Sequence, residues 1–184
     1  MILPIYIYGS GVLREKAAEV DLNNTDGLPE LIDNMYQTMR ESDGVGIAAP
    51  QVGKSLRLLI VDGADLAEDM PELEGFKRVM INPVTLWESE ETAEYSEGCL
   101  SVPNIHADVV RPKSIRVKYY NEKYEQVEED FTGFACRMVQ HEMDHLDGHL
   151  FIDHVSQIRK KMIQSKLNNI AAGKVRTHYR IVKK

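Results

Sequence analysis

His141 and His145 stand four residues apart in the stretch Gln140-His141-Glu142-Met143-Asp144-His145. At helical spacing both imidazoles project from one face, where they can meet a single metal ion. Glu142 follows the first histidine directly, beside the metal without being a ligand. Two imidazoles with a carboxylate at their edge are the equipment for activating water. The flanking residues predict the helix itself: Thr132 as N-cap, Phe134, Ala135, Met138 and Val139 as apolar positions, and Gly148 as the C-terminal stop.

With 184 residues, 43% of them hydrophobic, the chain is long enough for one well-packed core and short for two, so residues 1–184 are expected to form a single domain. Two cysteines, Cys99 and Cys136, are too few for a disulfide framework. The first nine residues lack a basic region before their apolar run and read as an opening strand or arm. No apolar run approaches the roughly 18 residues of a membrane-spanning helix. These features point to a soluble protein of a reducing compartment, the cytoplasm, with no membrane partner.

The net charge of −7 conceals an asymmetry: all 29 acidic residues lie at or before Asp153, and nine basic residues follow it (Arg159, Lys160, Lys161, Lys166, Lys174, Arg176, Arg180, Lys183, Lys184). A basic tail on an acidic body can dock on an anionic partner such as RNA. Charge alone favours a solvated helix face and a frayed end over stable nucleic-acid binding.

Residues 28–40 carry apolar side chains at Leu28, Leu31, Ile32, Met35, Tyr36 and Met39, the pattern of one helix face, with Pro29 suited to the first turn. The uncharged, small-residue segment Gly44–Gly53 has neither a phosphate-loop ending nor dinucleotide-type glycine spacing. It suits tight packing or a strand edge that accepts an extended peptide, and its one polar side chain, Gln51, needs a partner if buried. Strands are expected at 56–61, 79–82, 85–88, 91–96, around Ile115–Tyr119 and at 124–131, with turns near Asn82-Pro83 and Ser89. Val155, Ile158, Met162, Ile163, Leu167 and Ile170 describe a C-terminal amphipathic helix within 155–184. Short, mostly antiparallel strands around one buried helix, with a helix near each end, make the fold class α+β.

The metal site still needs a third ligand. Metalloproteases with paired histidines on a helix find theirs downstream, as a histidine or a glutamate; here Phe151 occupies the histidine position and no glutamate follows Glu142. Upstream, Cys99 lies in the glycine-flanked turn Glu97-Gly98-Cys99-Leu100-Ser101, and a thiolate is a strong ligand for zinc or ferrous iron. A free cysteine is otherwise a small buried hydrophobe, the role assigned to Cys136, which points off the ligand face. A structural site with four protein ligands would not require Glu142.

Three motifs, Gly44-Val-Gly-Ile-Ala-Ala-Pro-Gln51, Glu97-Gly-Cys-Leu-Ser101 and Gln140-His-Glu-Met-Asp-His145, resemble the signatures of the peptide deformylases, in order and at similar separations. The resemblance implies a metal-dependent hydrolase that removes the formyl group from the N-terminal methionine of nascent polypeptides and releases formate. It implies Cys99, His141 and His145 as ligands with a fourth position for water, and Glu142 as the group that moves protons. The Gln51 amide and the Leu100 backbone N–H would stabilise the developing oxyanion. Gly44, Val45 and Gly46 would pair with the substrate backbone, and Val45, Glu97, Phe134, Arg137 and Met138 would border the methionine pocket. Relatives often carry arginine or an aromatic residue where His106 stands. A Cys-His-His set accepts Fe2+, Zn2+, Ni2+ or Co2+; the resemblance implies Fe2+ in the cell, and docking of the basic C-terminal helix on the ribosome.

Overall fold

The computed structural model describes residues 1–183; the last basic residue of the tail, Lys184, lies outside them. After a short strand β1 (Ile5–Tyr6), helix α1 (Leu28–Glu41) occupies the predicted segment, with Pro29 in its first turn. It buries Leu28, Met35 and Met39. Strands β2 (Gly46–Ala48), β3 (Leu58–Asp62) and β4 (Lys77–Glu88) follow. A hairpin of β5 (Thr92–Cys99) and β6 (Val102–Pro112) comes next, then β7 (Ser114–Tyr120) and β8 (Gln126–Thr132). Helix α2 (Gly133–Leu146) carries the paired histidines, α3 (Gln157–Ala171) follows it, and β9 (Ile181–Val182) closes the described chain. The fold is α+β. None of the described helices is long and apolar enough to cross a membrane.

Five strands form an antiparallel sheet in the order β2-β3-β4-β7-β8, with β2 at one edge. Strand β3 explains its own continuous apolar run. Leu58 and Ile60 enter the cluster shared with Met35 and Met39 of α1, while Leu59 and Val61 enter the cluster shared with Met138 and Val139 of α2. Successive strand residues face opposite sides, and a strand covered on both needs no polar alternation. The β5–β6 hairpin forms a second sheet, whose Ile105, Ala107 and Val109 pack with Ile163, Leu167 and Ile170 of α3.

Four expectations change. The strands read at 79–82 and 85–88 are one strand, β4, because Asn82-Pro83 makes a bulge instead of a turn. Asn82 takes φ 52°, and its side chain bonds both the N–H and the carbonyl of Val20, so the ladder resumes at Val84. Strand β6 has no counterpart in the sequence reading, since Pro103, Asn104 and Pro112 at its ends imitate turn signals. On α3 the buried stripe is Ile163, Leu167 and Ile170, while Ile158 and Met162 stand 76% and 67% exposed. The tail is not frayed: β9 pairs in parallel with β1, Ile5 opposite Ile181, and Val175 and Ile181 join the cluster beneath α3.

Gly148, just beyond α2, adopts φ 77°, and a Cβ there would lie 2.6 Å from the Arg14 carbonyl oxygen. Gly148→Ala is therefore expected to cost about 1–3 kcal/mol in backbone strain, with the clash added. The midpoint of denaturant unfolding should fall accordingly, and an unchanged midpoint would show that this turn relaxes freely.

Candidate active site

Helix α2 lies against the five-stranded sheet with Cys136, Met138, Val139 and Leu146 in the core. Its N-cap is Thr132 by position, but the threonine hydroxyl meets the Ser114 hydroxyl at 2.8 Å and does not cap the helix. The four-residue spacing places the His141 and His145 ring centroids 5.3 Å apart. Cys99 ends β5, where the pairing with β6 shifts register between Gly98 and Cys99. That irregularity turns the thiol toward α2, with Sγ 3.4 Å from His145 Nε2. The donor atoms of Cys99, His141 and His145 all lie within 4.8 Å of one another.

Tetrahedral coordination with ligand bonds of about 2.0–2.3 Å separates neighbouring donors by roughly 3.3–3.8 Å, so the Cys99–His145 approach fits one metal ion. One soft thiolate and two imidazoles suit zinc or ferrous iron. His141 turns Nδ1 to Glu97 Oε1 at 2.7 Å, which leaves Nε2 as the atom that would bind an ion once its proton is displaced. Glu142 Oε1 sits 4.0 Å from that Nε2, and its Oε2 is buried with no hydrogen-bond partner among the described residues. Burial raises the Glu142 carboxyl to about 7, with the His141 charge opposing the shift. Burial likewise lowers His145 to about 3, so that imidazole is neutral and ready to donate its lone pair.

Glu97 is the hub behind these candidate donors. Only 5% exposed, it accepts from Arg111 Nε at 2.8 Å and Nη2 at 3.0 Å, and from Arg137 Nη1 at 2.6 Å. Burial alone would raise its carboxyl, but the hydrogen bonds from His141 and Arg111 outweigh that and hold it well below the ordinary carboxylate range. Arg111 also reaches Asp144 Oδ2 at 2.7 Å, an oxygen that His154 Nε2 meets at 2.8 Å. Arg137, 2% exposed, donates to the carbonyls of Val109 and Ala93, each at 2.8 Å. Glu97 and Arg137 thus border the cleft while their charged groups turn inward.

A cleft of about 810 Å³ opens over the cluster, bordered by Gly44, Val45, Gly46, Phe134 and Met138 as well as the site residues. Gly46 has to be small: a Cβ there would lie 2.7 Å from Glu142 Oε1. Gln51, 1% exposed, accepts the Ala48 N–H at 2.9 Å, which orients its Nε2 toward Ser101 Oγ at 3.1 Å and Cys99 Sγ at 3.5 Å. Leu100 follows Cys99 on the cleft wall, and the His106 ring covers Gly98 beside it. Cys136 lies apart from this cluster, and burial pushes its thiol to about 11. Arg176, Thr177, His178 and Tyr179 also line the cleft, and no local pattern marks them, because they reach it from the far end of the chain.

The sequence matches the family model described as polypeptide deformylase over residues 2–161. A curated relative from Salinibacter ruber, a peptide deformylase, is 44% identical over 188 residues that cover 100% of this chain and 96% of the relative. A second, from Prosthecochloris aestuarii, is 48% identical over 184 residues, covering 97% of this chain and 94% of the relative. The solved peptide deformylase of Thermus thermophilus superposes with a TM-score of 0.81 at 35% identity, over 93% of this chain and 98% of its own. An actinonin-bound class I type b peptide deformylase from Acinetobacter baumannii gives 0.75 at 42% identity, over 84% of this chain and 99% of its own.

Proposed function

The chain belongs to the polypeptide deformylase family, and from that membership we propose how its residues divide the work of removing the N-formyl group from nascent polypeptides. Cys99, His141 and His145 would hold one divalent metal ion. When bound, that ion lowers the pKa of a coordinated water and polarises the formyl carbonyl. The observation that carries the assignment is the approach of Cys99 Sγ to His145 Nε2, with Glu142 Oε2 buried nearby and without a hydrogen-bond partner among the described residues.

Glu142 takes the proton from the attacking water and returns it to the leaving amine, a role that its place 4.0 Å from His141 Nε2 at the rim of the cluster supports. As the formyl carbon becomes tetrahedral, charge grows on its oxygen, and Gln51 Nε2 and the Leu100 N–H donate to it. Gln51 is preset for this because its own oxygen is held by Ala48. Strand β2 is at the edge of its sheet, and the segment Gly44–Gly46 pairs with the substrate backbone as an added strand. Val45, Phe134 and Met138 receive the methionine side chain. Glu97 and Arg137 act from behind this pocket by fixing His141.

A closed structural metal site needs four protein ligands, and the cluster found among the described residues has three. The test is formate release from a formyl-methionyl peptide by anaerobically prepared, metal-loaded protein. Activity should disappear with a chelator and return with Fe2+; cleavage of internal peptide bonds without formate would point to a protease. Fe2+ is the ion we assign in the cell, with Zn2+, Ni2+ or Co2+ able to replace it. Metal analysis of the anaerobic protein decides among them.

Gly46→Ala should lower kcat/KM by about 10-fold or more, since an error of about 1 Å in a catalytic group can cost 100-fold. Bound metal should remain stoichiometric, and a normal rate would mean that Glu142 does not need its present position. The cytoplasm is the compartment consistent with the substrate, and α3 is the surface we assign to the ribosome. Its exposed Ile158 and Met162 lie among Arg159, Lys160, Lys161 and Lys166. Salt-sensitive cosedimentation with ribosomes tests that docking.

A further inference from the structure

The segment after α3 lines the cleft through Arg176, Thr177, His178 and Tyr179. Exposure alternates along it, with Val175, Thr177 and Tyr179 half-buried and Arg176 and His178 exposed, and the chain bends at His178 and Tyr179. The Tyr179 hydroxyl donates to the Leu100 carbonyl at 2.7 Å. The Thr177 hydroxyl donates to the Tyr179 carbonyl at 2.6 Å, and His178 Nε2 lies 3.2 Å from Asp43 Oδ2. Beyond these, β9 ties the segment to β1.

The anchors fall on both sides of one end of the cleft. Leu100 follows the ligand Cys99, and Asp43 precedes Gly44. A Cβ on Gly44 would lie 2.9 Å from Leu100 Cδ1, so the Leu100 side chain packs against Gly44. Gly46, by contrast, sits against Glu142. A peptide with its formyl group at Glu142 that pairs beside Gly46, the first residue of β2, and runs on toward Gly44 therefore heads for the segment 176–179 that lines the same cleft.

We propose that Arg176–Tyr179 form the wall that receives the substrate's second and third residues and thereby set specificity beyond the methionine. This rests on the deformylase reading above. The Tyr179–Leu100 hydrogen bond and the pairing of β9 with β1 hold the wall in place, and Thr177 and Tyr179 present its contact surface. Specificity arises here from packing and hydrogen bonding along an extended peptide, so it grows with substrate length.

The experiment compares kcat and KM for formyl-methionine amide and for formyl-Met-Ala-Ser, with the full chain, a chain ending at Gly173, and Tyr179→Phe. In the shortened chain the preference for the tripeptide over the amide should fall about 5- to 10-fold, mainly through KM, as expected for losing one or two contacts. Tyr179→Phe should move the preference the same way by a smaller factor. It also decides the matter if the shortened chain fails to fold. Equal losses on both substrates, or an unchanged preference in Tyr179→Phe and in any folded shortened chain, would overturn the proposal. Failure of the full chain to release formate from either substrate would instead overturn the functional reading.

Discussion

Glu142→Ala should retain one metal ion per chain and lose about 100- to 10,000-fold in turnover, the range contributed by a positioned general acid–base group. The two effects separate because the carboxylate is not one of the three clustered donors. Metal content and single-turnover formate release, measured on the same preparation, test the separation. Loss of metal in the variant, or a near-normal rate, would sink the role given to Glu142. Stability supplies a second readout in the metal-free protein. The Glu142 carboxyl is raised from 4.5 to about 7 by burial, so the native state binds this proton more tightly than the unfolded chain. Its ionisation therefore destabilises the fold as pH rises from 4.5 through 7. Glu142→Gln removes that penalty, and its stability advantage over wild type should grow across this window and vanish below it.

Glu97→Ala should produce the largest loss of stability. The side chain is buried and compensates both Arg111 and Arg137, themselves buried. Removing one member of a buried charge network typically costs about 3–5 kcal/mol because a remaining charge stays desolvated; here Arg111 keeps Asp144, while Arg137 keeps only backbone carbonyls. The variant also frees Nδ1 of His141, and loss of such an orienting contact typically weakens metal affinity by about 10- to 100-fold. Denaturant unfolding and chelator competition measure the two effects. Glu97→Gln preserves volume but not charge, and it should fall between wild type and alanine on both. A normal unfolding midpoint in the alanine variant would show that the two arginines find other partners.

Expectation and structure agree where a contact is local. Helix α1 forms where Met35 and Met39 set its buried stripe, and α2 forms with both histidines on one face. Disagreement appears where position depends on neighbours distant in sequence. Asn82-Pro83 reads as a turn until Val20 is found bonding Asn82 from 62 residues away. Ile158 and Met162 share a helical period with Ile163, but α3 meets β6 along only part of its apolar arc, so they remain outside.

The site divides along the same line. By itself the sequence determined that His141 and His145 share a helix face with Glu142 between them, because an α-helix has a fixed period and four residues always make about one turn. It also offered Cys99, in its glycine-flanked turn, as a third ligand. Only the tertiary structure decided that Cys99 reaches His145 across 46 residues, that Glu97 gathers Arg111, Arg137 and His141, and that Tyr179 closes on Leu100 across 79. Those contacts depend on a register shift in one hairpin, on the packing of α2 against a sheet and on the docking of the tail. Each is settled by burial summed over many residues, which no short motif records.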